Sequence, residues 1–258
     1  MDAAVNGHPA QVRIFPDLEA LSHAAATLFA GACKQSTQSN GRFAVAISGG
    51  STPRRFYELL GSDRYAPAID WRHVYLFWVD ERCVPREDDR GNFKLAFDTF
   101  LGKVPVPGEN LHRIKGEASP ERSAGEYEAV LRAFFGSSVI PAFDLIVLGV
   151  GEDGHTASLF PGSPALEEDR RLAVAVRNES LEIDRITLTL PVLNAARQVV
   201  FLVEGIAKAN ALQRVLEGPD SKGIYPAALV CPAKGSVTWL IDEAAASLLQ
   251  RGRTFAPS

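Results

Sequence analysis

The chain has 258 residues, 46% of them hydrophobic and 22% charged, with a formal net charge of −4. That length can bury a sizeable core, and the acidic balance argues against a nucleic-acid partner, since such binders present a basic face. No apolar run approaches the roughly 20 residues that span a bilayer, and Met1–Ala10 lacks the basic and apolar regions of a secretory signal.

Met1–Ala10 reads as a disordered tail, and Gln11–Phe15 as a short strand. Leu21, Ala25, Leu28 and Phe29 have helical spacing, which predicts a helix over Leu18–Cys33 followed by a polar loop, Gln35–Gly41. Phe43–Ile47 is apolar throughout, as a strand buried on both faces requires. Pro53 marks a helix start, and Gly61 stops that helix after Leu60; a tight turn with Thr52 as N-cap is the purely structural account of the residues before it. Val74–Val79 is a strand, Asn92–Leu101 a helix, and Ser119–Phe135 an amphipathic helix with Pro120 in its first turn. Phe143–Leu148 is a further apolar strand, followed by candidate strands at Leu172–Val176, Ile186–Leu190, Val199–Val203 and Ala227–Val230. Ile206–Leu216 and Asp242–Leu249 are the last predicted helices. The alternation implies a single α/β domain over 1–258, three-layered and Rossmann-like. Its sheet is mostly parallel, with helices on both faces and a small excursion between about 160 and 195.

Ligands of open parallel sheets bind beyond the carboxyl ends of the strands, and three segments there are unusual. Ser48-Gly49-Gly50-Ser51-Thr52-Pro53 joins a strand to a helix, so its glycines and the helix N-terminus form a natural phosphate cradle. It is not a Walker loop, because no Gly-Lys-Ser/Thr follows. Asp80-Glu81-Arg82 closes an apolar strand with three ionisable groups that need partners if buried, and Arg82 offers a planar fork for phosphate or carboxylate oxygens. Gly149 to Pro161 contains G-x-G-x-x-G after a strand, yet Pro161 and Pro164 cut off any long helix, which argues against a dinucleotide site.

His155 in that third segment follows a flexible glycine and two carboxylates, Glu152 and Asp153. Histidine can accept a proton at neutral pH, and a neighbouring carboxylate can fix its tautomer. Other chemistries fare worse. The five histidines are far apart and no His-Glu-x-x-His or Cys/His cluster occurs, so neither metal nor cofactor is expected. No G-x-S-x-G elbow supports a nucleophilic serine. Cys33, Cys83 and Cys231 are odd in number and scattered, as suits reduced thiols in the cytoplasm. Cys83 reads as a packed thiol and His23 as a solvent-facing residue of its helix.

Taken together and in this order, the three segments resemble the 6-phosphogluconolactonase family, as do Val84-Pro85 with Asn92, Leu190 to Arg197, and Gly205-Ile-Ala-Lys208-Ala209. The resemblance runs from about Phe15 to Leu240, with one departure, Gly91, where the family usually has serine. It implies a fold shared with glucosamine-6-phosphate deaminases and ribose-5-phosphate isomerases. The deaminases are the main rivals but typically continue His-x-x-Phe-Asn-Glu, whereas His155 is followed by Thr-Ala-Ser-Leu-Phe-Pro.

The resemblance implies hydrolysis of 6-phosphogluconolactone without metal, with His155 as the base that activates water and Asp153 or Glu152 as its orienting carboxylate. The amides of Gly49, Gly50, Ser51 and Thr52 are the expected phosphate seat, Asp80 a ligand of sugar hydroxyls, and Arg82 and Lys208 cations for the phosphate or the developing oxyanion. The alternatives are a deaminase-like enzyme and a non-catalytic sugar-phosphate-binding regulator. The expected partner is the small phosphorylated lactone, with no nucleic acid or membrane, and a monomer is the favoured state.

Overall fold

The computed structural model describes residues 2–5, 8–137, 140–177, 182–218 and 224–250. An eight-stranded sheet runs in the order β1 (Asp2–Val5), β2 (His8–Phe15), β11 (Ser236–Asp242), β10 (Gln198–Val203), β7 (Leu145–Leu148), β3 (Phe43–Ile47), β4 (Val74–Trp78) and β6 (Leu111–His112), and every neighbouring pair is parallel except β1 with β2. Its centre is β3 (Phe43–Ile47), β4 (Val74–Trp78), β7 (Leu145–Leu148) and β10 (Gln198–Val203). All five residues of β3 and all four of β7 are buried. A strand without an exposed face must be covered on both sides, which is why these runs carry no polar alternation. The covering helices include α1 (Leu18–Asn40), α2 (Thr52–Leu60), α3 (Asn92–Thr99), α4 (Pro120–Phe135) and α6 (Ala209–Glu217), with a single turn, α5, at Leu190–Leu193. Among the described residues no helix is long and apolar enough to cross a membrane.

Strand order decides where a ligand fits. The chain passes from β3 outward to β4 and β6 (Leu111–His112), then returns to place β7 on the other side of β3. The loops after β3 and β7 therefore diverge, leaving a crevice at the carboxyl ends of adjacent strands.

The excursion expected near 160–195 supplies β8 (Ala173–Val176) and β9 (Arg185–Leu188), which pair antiparallel. Their sheet is completed from outside that stretch by β5 (Asp80–Arg82), so the acidic-basic triplet is held as a strand rather than a loose loop.

Several expectations are corrected. Residues of the supposed disordered tail form β1 (Asp2–Val5) and the start of β2 (His8–Phe15), because β2 finds a parallel partner in β11. The polar stretch Gln35–Gly41 belongs to α1 as far as Asn40, where Gly41 at φ 72° ends the helix; its polarity reflects solvent exposure, not a loop. Ala227–Val230 is no strand but a 3-10 turn over Pro226–Leu229, whose first residue cannot donate to a ladder. β11 (Ser236–Asp242) was not anticipated, and the helix expected over Asp242–Leu249 shrinks to a 3-10 turn over Ala245–Leu248. Asp242 ends the strand and caps that turn, accepting the Ala245 N–H at 2.8 Å. His23 is half-buried, with Nδ1 3.0 Å from the Tyr65 hydroxyl.

Candidate active site

The loop after β3 turns at Gly50, whose φ of 109° favours glycine. The cap position of α2 is Ser51 rather than Thr52, and no side chain caps the helix, so its first-turn N–H groups keep no side-chain partner. Tyr57, wholly buried one turn into α2, donates its hydroxyl to the Ser48 carbonyl and fixes the base of the loop. Gly49 has no room for a side chain, since a Cβ there would overlap the carboxamide of Asn92.

Asn92 ties this loop to the next. Its Nδ2 donates to the Asp80 carbonyl at 2.9 Å and to Asp80 Oδ1 at 3.2 Å. Asp80 Oδ2 accepts the Ser158 hydroxyl at 2.7 Å, so both oxygens of this buried carboxylate already have partners within the protein. Glu81 points away from Asp80, as alternation along a strand requires, and caps α3. Its Oε1 accepts the N–H of Arg82 and Asn92 at 2.8 and 2.7 Å, and Oε2 that of Phe93 at 2.8 Å. Burial pushes the Glu81 carboxyl up to about 7 despite these three donors. Burial likewise raises the Cys83 thiol to about 11, which keeps it protonated and poorly nucleophilic.

The loop after β7 folds back on itself through Gly151 N–H to the His155 carbonyl at 2.8 Å and the Thr156 hydroxyl to the Gly149 carbonyl at 2.9 Å. Gly154 has a φ of 81°, and a Cβ there would meet the Tyr225 ring. His155 Nδ1 lies 2.6 Å from Asp153 Oδ1, while Nε2 has no partner among the described residues. Burial tends to raise the Asp153 carboxyl, but the His155 amide and imidazole outweigh it and hold the group below the usual carboxylate range. An ionised acceptor at Nδ1 keeps the proton on that nitrogen and leaves Nε2 with its lone pair. The imidazole also packs on Phe160, with ring centroids 4.7 Å apart.

The three loops and the start of the segment after β10 enclose one cleft of about 190 Å³. Gly49, Gly50, Ser51, Thr52, Asp80, Arg82, His155 and Lys208 all line it, so the structure brings these sequence-predicted residues together. Of the two carboxylates weighed as partners for His155, Asp153 makes the contact; Glu152 instead approaches Lys208, Oε1 to Nζ 3.9 Å. Asn92 and Ala157 line the cleft as well, and neither had been given a role from the sequence. Ala157, at φ 53°, is the sole non-glycine residue with positive φ among those described. Such strain clusters at functional sites, but no sequence pattern announces it at an alanine. Among the described residues no group of three His, Cys, Asp or Glu side chains is placed to hold a metal ion. A second cavity of about 460 Å³, near the amino ends of β3 and β7, shares no residue with this cleft.

Residues 16–239 match the family described as glucosamine-6-phosphate isomerases/6-phosphogluconolactonase. The chain is 38% identical over 253 residues to "Probable 6-phosphogluconolactonase 1" of Arabidopsis thaliana, covering 93% of this chain and 94% of that one. It is 36% identical over 242 residues to a 6-phosphogluconolactonase of Nostoc, covering 92% and 98%. Other plant relatives are named as chloroplastic. Among solved structures, the 6-phosphogluconolactonase of Trypanosoma cruzi superposes with a TM-score of 0.83 at 28% identity, covering 93% of this chain and 97% of that one. The chain therefore belongs to the glucosamine-6-phosphate isomerase/6-phosphogluconolactonase family.

Proposed function

We propose that this chain is a carboxylic ester hydrolase that opens 6-phospho-D-glucono-1,5-lactone to 6-phosphogluconate, the second step of the oxidative pentose phosphate pathway. The relatives at 36–38% identity over more than nine-tenths of the chain carry that activity in their names. The observation that carries the mechanism is the 2.6 Å contact between His155 Nδ1 and Asp153, on a cleft-lining ring with Nε2 unpartnered.

In this reading Nε2 of His155 takes a proton from water as the water oxygen attacks the lactone carbonyl, and Asp153 stabilises the imidazolium that forms. The ring oxygen leaves as an alcohol and receives the proton back from His155. The uncapped amides of Gly49, Gly50, Ser51 and Thr52 bind the 6-phosphate. Arg82 and Lys208 add positive charge at the phosphate or at the developing oxyanion. Asp80 has its oxygens engaged by Ser158 and Asn92, so its part in binding sugar hydroxyls uses the remaining lone pairs. Binding the phosphate far from the carbonyl orients the reacting centre, and no covalent intermediate is needed.

The decisive experiment follows freshly made lactone by pH-stat in EDTA, with glucosamine 6-phosphate alongside. Lactone hydrolysis well above the buffer rate, without ammonia release from the amino sugar, is the expected result. Ammonia release, or no acceleration, would overturn the reading in favour of a deaminase or a binding protein. We further infer a cytoplasmic monomer, consistent with three free cysteines; cell fractionation and light scattering test these two points.

A further inference from the structure

Arg82 and Arg185 occupy opposed positions in the β5–β9 ladder, where Asp80 pairs with Thr187 and Arg82 with Arg185. Opposed residues of an antiparallel pair point to the same face with Cβ atoms about 5 Å apart, and like charges there repel. That face bears Asp80 and Arg82, both of which line the cleft. Each guanidinium has a buried Nε without a partner. The Arg82 side chain donates only to the Arg90 carbonyl, and neither arginine forms an ion pair among the described residues. The carboxylates nearby, Asp80 and Glu81, favour the charge of Arg185 from a distance, but their hydrogen bonds go to Ser158, Asn92 and three main-chain N–H groups and not to either guanidinium. Burial, and then the charge of Arg82, pull the Arg185 guanidinium below its ordinary range. Two adjacent half-buried guanidiniums whose Nε atoms lack an acceptor leave donors that an anion bound between them would satisfy.

We propose that Arg185 forms with Arg82 a two-guanidinium seat for the phosphate dianion of the substrate. This rests on the lactonase reading of the cleft. Paired planar forks suit the tetrahedral, doubly charged phosphate. Arg82 then reaches the phosphate from the cleft wall, and Arg185 beside it raises the local positive potential and offers its unpaired Nε to the same anion. Arg185 is thus a binding residue, remote from the carbonyl that reacts.

The test measures kcat and KM for 6-phosphogluconolactone, and the Kd of 6-phosphogluconate and of gluconate by calorimetry at low and high salt. Wild type, Arg185→Met and Arg185→Lys are compared. Loss of one charge-assisted contact should raise KM and the 6-phosphogluconate Kd by about 10- to 100-fold in Arg185→Met, with kcat little changed and the salt dependence flattened. Arg185→Lys, a point charge without the fork, should recover part of the affinity, and it carries the test if the methionine variant does not fold. Unchanged 6-phosphogluconate affinity in the variants, or a fall in kcat at constant KM, would overturn the seat. A wild type that does not hydrolyse the lactone, but whose affinity for 6-phosphogluconate falls in Arg185→Met while that for gluconate does not, would refute the reaction and still support the seat.

Discussion

Oδ1 of Asp153 accepts two hydrogen bonds from one residue, the His155 main-chain N–H at 3.1 Å and its ring Nδ1 at 2.6 Å. The carboxylate thus fixes both the backbone and the ring of the proposed base. Replacing His155 by alanine should lower kcat by about 10²–10⁴-fold, the usual worth of general-base help. Asp153→Asn should lower kcat by at least about tenfold, because an amide N–H facing Nδ1 favours the wrong tautomer. Initial rates on fresh lactone measure both, and near-wild-type kcat in the alanine variant would remove His155 from the chemistry.

Gly151 gives a subtler test of the same geometry. A methyl group there would fall on the His155 imidazole and the Asp153 carboxylate, both of which are side chains that can move aside. Gly151→Ala should therefore keep a Tm close to wild type while lowering kcat about 100-fold, since displacement by an ångström costs about that much. Melting curves and kinetics on one preparation decide it, with unchanged kcat as the contrary outcome.

Glu81 links stability to pH. Its carboxyl titrates at about 7 in the folded chain, against an ordinary value of 4.5. Between those values the folded state holds a proton that the unfolded state has released, so this residue's contribution declines as pH rises. It is fully present below about pH 4.5 and lost by the time pH passes 7. The stability difference between wild type and Glu81→Gln, from urea midpoints at intervals across pH 5–8, should shift against wild type as pH rises. A pH-independent difference would mean that the three main-chain donors keep Glu81 ionised throughout.

We propose that the chain is one domain, so that the two ends of its main sheet lose structure together. Trp71 and Trp78 belong to the β3–β4 side of the sheet and Trp239 to β11, several strands away. Urea transitions followed by tryptophan fluorescence and by far-UV circular dichroism should superimpose. Two separated transitions would divide the chain into independent units.

Much of this architecture was visible in the amino-acid sequence, for reasons that differ by element. Phe43–Ile47 and Leu145–Leu148 are strands without a polar face, and such runs admit few other readings. The three loops stood out because glycine, histidine and charge have little reason to follow a buried strand except chemistry. Ser236–Asp242 was missed because it begins with an exposed serine and ends in an aspartate that also reads as a helix cap. Ala227–Val230 looks like a strand by composition, and only the 3.0 Å bond from the Ala227 N–H to the Gly154 carbonyl shows what it does. The helix-capping role of Glu81 and the juxtaposition of Arg82 with Arg185 depend on contacts across 11 and 103 positions (92 − 81 and 185 − 82). Local pattern carries no trace of such pairings.

The pairing of β2 with β11 has a consequence for synthesis. Phe15 lies opposite Asp242, so β2 finds its parallel neighbour 227 residues later (242 − 15). At about 5–20 residues per second, the ribosome needs roughly 10–45 s to supply that partner. During that interval β2 has only the short β1 ribbon beside it, leaving its other edge open. Synthesis of β11, rather than emergence of the strands that precede it, is then the event that covers this edge of β2.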